Sequence, residues 1–63
     1  MELEAKEMRL VILGLKRLLE DTKNQIKEVS DEDDEYTFLT NDAMLLDTMI
    51  SSFEEEYKSK YGN

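Results

Sequence analysis

Residues Ser30–Glu35, SDEDDE, contain no apolar side chain and place five carboxylates in a row. On both sides of this run, apolar residues recur at alternating steps of four and three. Upstream the series is Met1, Ala5, Met8, Ile12, Leu15, Leu19, Thr22, Ile26 and Val29; downstream it is Tyr36, Leu39, Ala43, Leu46, Ile50, Phe53 and Tyr57. Each is a heptad seam, with 5, 12, 19 and 26 at a in the first and 36, 43, 50 and 57 at a in the second. A polar run between two seams of similar length is a turn between two helices. The acidic run suits the positive end of the following helix dipole, and Ser30 with Asp33 has the spacing of a capping box.

The fold expected is therefore all-α: an antiparallel two-helix hairpin over 1–63 as a single domain. Helix 1 is expected over about 2–29, the acidic turn over about 30–35 and helix 2 over about 36–61. Tyr36, Thr37, Phe38 and Thr40 prefer strand, and Thr40 or Asn41 could cap a later helix start near 41. The unbroken heptad from Tyr36 favours the earlier start. At the far end, Lys58 and Lys60 suit the negative end of the dipole, Glu54 with Lys58 and Glu56 with Lys60 have i,i+4 spacing, and Gly62 can close the helix.

A short turn forces antiparallel packing, in which a positions of one helix meet d positions of the other. Pairing Ile12 with Phe53, Leu15 with Ile50, Leu19 with Leu46, Thr22 with Ala43 and Ile26 with Leu39 centres the turn between residues 32 and 33. Met8 and Tyr57 extend the same hairpin seam. This register sets e positions opposite one another, predicting Arg9 with Glu54 and Lys16 with Asp47. Such exposed pairs are each worth about 0.2 to 1 kcal/mol and serve orientation more than stability.

The opposite flank is apolar in both helices: Val11 and Leu18 at g in helix 1, and Met49 at g with Phe38 and Leu45 at c in helix 2. A stripe wider than a/d is expected where a helix has more than one neighbour. A second hairpin on this flank would make a four-helix bundle, so Val11, Leu18, Phe38, Leu45 and Met49 are the expected homodimer interface, with a different helical partner as the alternative. Dimerisation also suits a chain of 63 residues with no Cys and no His, since disulfide and zinc staples are both excluded at a size where one core is marginal. Leu10, Leu13 and Gly14, in the stretch LVILGL, belong to neither seam nor dimer flank. They are the expected docking patch for a further partner.

Charge narrows the functions. The chain carries eight Lys and Arg against sixteen Asp and Glu, a formal charge of −8. Residues 1–28 balance six basic against six acidic side chains, whereas residues 29–63 hold ten acidic and two basic. Without clustered Lys and Arg no nucleic-acid partner is expected, and a basic protein surface is the better electrostatic match. The acidic surface comprises Asp31, Glu32, Asp33, Asp34, Glu35, Asp42, Asp47, Glu54, Glu55 and Glu56. It could imitate a phosphate backbone, as acidic DNA mimics and inhibitors from phages or mobile elements do.

Nothing points to catalysis: neither His nor Cys is present, and carboxylate-only chemistry needs an enclosed pocket that a narrow bundle does not offer. No cofactor is expected. Asp31, Asp33, Glu35 and Asp42 echo the ligand spacing of a calcium loop, but Tyr36 stands where the sharp turn needs Gly. The mixed-charge start and the six-residue apolar run LVILGL fit neither a signal peptide nor a membrane span, so the expected setting is cytoplasmic. The expectation is a non-catalytic protein-binding module, an adaptor, regulator or inhibitor, working as a homodimer.

Overall fold

The structure, a computed structural model, describes residues 3–62. Two helices account for nearly all of it: α1, Ala5–Glu28, and α2, Asp34–Lys60. At 1.5 Å per residue, helices of this length run about 36 to 40 Å, in keeping with a particle of 43 × 23 × 14 Å. The chain is a rod whose two halves lie side by side. At its open end the Tyr61 hydroxyl donates to the Leu3 carbonyl over 2.8 Å, joining residues 58 positions apart.

The helix ends follow from local chemistry. Glu4 is the extended N-cap of α1, and its N–H donates to the Glu7 carboxylate over 2.9 Å. That capping interaction starts α1 at Ala5, later than expected; Met1 and Glu2 lie outside the described residues. Helix α2 begins at Asp34, ahead of both the expected start at 36 and the alternative at 41. Asp33 is its N-cap. Ser30 is not a cap: its hydroxyl accepts the Glu32 N–H at 3.3 Å, while its carbonyl accepts the Asp33 N–H at 3.0 Å. The link is thus a tight turn over 29–33, and Asp34 and Glu35 enter the first turn of α2, where their charges face the positive end of its dipole.

The strand preference of Tyr36 to Thr40 is overridden by packing. Tyr36, Leu39 and Thr40 are half-buried, and the Thr40 hydroxyl donates to the Tyr36 carbonyl over 2.7 Å, satisfying itself within the helix. At the other end Gly62 donates its N–H to the Lys58 carbonyl at 3.2 Å without adopting a positive φ. A Cβ there would stand 3.3 Å from the Lys58 Cα, so close approach, not left-handed geometry, is what suits glycine to this position.

The core is a single line between the helices. Met8, Ile12, Leu46 and Ile50 are buried, and Leu15, Leu19, Ile26, Leu39, Phe53 and Tyr57 are half-buried along the same line. No described side chain is completely enclosed. Thr22 is buried in this line too; its hydroxyl donates to the Leu18 carbonyl over 2.7 Å, which removes the cost of hiding a polar group.

Ile12 and Leu46 are 8% and 7% exposed, so Ile12→Asp or Leu46→Asp strands a charge without a partner. The cost, about 3 kcal/mol or more, is comparable with the whole stability of so small a domain. Thermal unfolding followed by circular dichroism is expected to lose its cooperative transition in either variant. A sharp melt near the original temperature would show that the altered residue does not face the neighbouring helix.

Candidate functional site

A two-helix hairpin presents two broad faces, one on each side of its seam. The first carries charge over an apolar floor. Arg9, Lys16 and Lys58 surround a groove whose floor includes Ile12, Leu13 and Tyr57, with Glu54 at its edge. Lys16 Nζ and Glu54 Oε2 meet at 2.7 Å across the helices, with both side chains about half exposed.

This pairing differs from the expected Arg9–Glu54 and Lys16–Asp47 matches by one heptad. The reason is the tilt of the side chains, which lean toward the N-terminus of their own helix. In antiparallel helices Lys16 and Glu54 therefore lean toward each other, whereas Arg9 and Glu54 lean apart. Glu56 and Lys60 approach to 3.8 Å along α2; Glu54 reaches across to Lys16.

The second face is apolar and open. Leu18, Phe38 and Leu45 are 52%, 66% and 60% exposed, and Val11 and Met49 beside them are half-buried. Leu18, Thr22, Leu45, Leu46 and Met49 line a shallow groove on this face, with Asp42 at its rim. Of the five residues expected to form a dimer interface, three are thus exposed and two are half-buried.

Leu10 and Leu13 are also exposed. They do not share one pocket: Leu13 opens into the charged groove, while Leu10 lies farther round the helix. A Cβ built on Gly14 would meet nothing within 4 Å, so the hairpin itself does not require glycine there. Two exposed residues were not singled out from sequence. Met44, beside Leu45, is 65% exposed, and its signal was an apolar side chain outside the seam. Tyr61 is 45% exposed and sits against Tyr57, with ring centroids 5.6 Å apart; its signal was the four-residue spacing that carries the seam one turn beyond Tyr57.

The ten carboxylates from Asp31 to Glu56 are all exposed. Helix α2 starts at Asp34, so the run needed for a calcium loop reaching Asp42 is mostly helical. No group of three or more carboxylates is gathered to hold a metal ion among the described residues. No described helix is long and apolar enough to cross a membrane. No protein-family model, curated protein or solved structure matches the chain.

Gly14→Ala tests what the space at this position is for. In a free helix surface the change stabilises by about 0.5 to 1 kcal/mol, raising the melting temperature by about 4 °C. A fall in melting temperature would show that another chain already packs against Gly14 in the isolated protein.

Proposed function

We propose that this chain is a small acidic, non-catalytic protein-binding module, an adaptor, regulator or inhibitor, that works as a helical-bundle homodimer. The observation that carries the reading is the open face of Leu18, Phe38 and Leu45, three large apolar side chains each more than half exposed. Apolar residues concentrated on one face of so small a protein are explained by an apolar partner, and a second hairpin supplies the same stripe. Leu10 and Leu13 would remain uncovered in that dimer and are the proposed contact for a different protein. The absence of Cys is in keeping with a reducing, cytoplasmic setting.

Melting temperature is expected to rise by several degrees on a tenfold increase in protein concentration, as mass action requires of a dimer coupled to folding. A folded monomer at micromolar concentration in sedimentation equilibrium overturns the homodimer. Leu10→Lys combined with Leu13→Glu is expected to leave the dimer and its melting temperature nearly unchanged while weakening partner binding in a pull-down or tetramer formation in sedimentation. If the dimer itself dissociates, these leucines belong to its core.

The ten exposed carboxylates of the second half favour a second reading, an electrostatic mimic that engages a basic protein. Salt separates the two. Apolar docking persists at about 0.5 M NaCl, where the screening length falls to roughly 4 Å and a carboxylate footprint is largely lost.

A further inference from the structure

The charged groove lies on the flank away from Leu18 and Leu45. Its volume of about 570 Å³ falls inside the range of about 300 to 1,000 Å³ that suits small ligands. Ile12, Leu13 and Tyr57 give it an apolar floor, and Arg9, Lys16, Lys58 and Glu54 are the charged groups that line it. Three cations therefore meet one carboxylate. Lys16 and Glu54 neutralise each other at 2.7 Å. Among the described residues, neither Arg9 on α1 nor Lys58 on α2 has a carboxylate partner, so two positive charges stand uncompensated over an apolar surface.

The other acids of this end of the rod do not line the groove. In the heptad numbering of the seams, Arg9 and Glu54 are e positions and Lys58 is b, whereas Glu4 and Glu56 are g and Glu7 is c, on the opposite flank of the hairpin. Glu7 already accepts the Glu4 N–H, and Glu56 lies 3.8 Å from Lys60. Glu55, at f, faces away from the seam. The chain as a whole carries −8, which opposes an anion at a distance. At physiological salt, exposed charges more than about 8 Å apart are largely screened, so the cations at the rim outweigh the acids on the far flank.

We propose that this groove binds an amphipathic organic anion, its apolar body on Ile12, Leu13 and Tyr57 and its carboxylate, sulfonate or phosphate head between Arg9 and Lys58. The guanidinium offers forked donors to such a head, and the ammonium on the other helix adds a point charge. The floor contributes affinity by covering apolar surface, while the two cations select for the charged head. The site does not depend on the homodimer reading and shares only Leu13 with the proposed protein contact.

Anilinonaphthalene sulfonate, an aromatic body with one anionic head, is the probe, and backbone amide chemical shifts report where it sits. Saturable shifts are expected at Leu13, Tyr57 and Gly62, which line the groove, and not at Leu45 and Met49 on the other flank. Arg9→Gln with Lys58→Gln is expected to raise the dissociation constant about tenfold, whereas Arg9→Lys with Lys58→Arg, which keeps both charges, changes it by less than about threefold. Both cations are exposed, so circular dichroism is expected to show the same melt in every variant. Shifts centred on Leu45 and Met49, no saturable shift, equal dissociation constants in all three proteins, or an equal loss in the charge-keeping variant each overturn the proposal. Sedimentation without the dye reads the homodimer separately, so either reading can fail while the other stands.

Discussion

One line of contact between two helices holds this chain in shape, and its narrowness determines everything else about the surface. Each helix can hide only the strip that its neighbour covers. The residues best shielded, Met8, Ile12, Leu46 and Ile50, lie on that strip, and the positions immediately beside it stay open whatever their chemistry. In a larger protein, Leu18 and Leu45 would meet a third element. Here they meet water, which opposes a fold already limited by how little surface a short chain can bury.

The angular part of the architecture was legible in the residues themselves. A repeat of four and three marks which side of a helix turns inward, and the described residues so marked are all buried or half-buried, joined by Leu3, Val11, Thr40 and Met49 from outside the repeat. What the repeat does not contain is displacement along the axis. Lys16 and Glu54 meet because of the direction in which side chains lean, a three-dimensional property that heptad letters omit. The same limitation applies to the ends: Asp33 is the N-cap of α2 by its extended backbone, with no side-chain cap hydrogen bond, and the 29–33 turn, not a capping side chain, sets where the helix starts. Of the candidate surfaces, the Leu18, Phe38 and Leu45 face could be read from spacing, while Leu13 could not be placed in the charged groove without knowing how far Tyr57 extends from the opposite helix.

The two faces also differ in what they can contribute to recognition. An ion pair at 2.7 Å between half-exposed side chains adds about 1 kcal/mol at most and weakens with salt. Uncovered leucine and phenylalanine side chains are each worth about 1.5 to 3 kcal/mol when fully removed from water. In the proposed association the charged face would therefore contribute direction and selectivity, and the apolar one affinity. Thr22, at the floor of that apolar groove, has its hydroxyl already committed to the Leu18 carbonyl, so covering the groove costs no hydrogen bond to that side chain.

The hydrogen bond from Tyr61 to the Leu3 carbonyl has a topological meaning. It brings the two ends of the described chain within the reach of a single tyrosine, so a linker of a few residues could join them, with an entropic cost that grows only slowly with linker length. Circular permutation with new termini in the 29–33 turn would then preserve the seam while converting its two helices from one continuous hairpin into segments linked at the opposite end. By the same geometry, any domain fused at either end would emerge from one pole of the rod, leaving the acidic pole free.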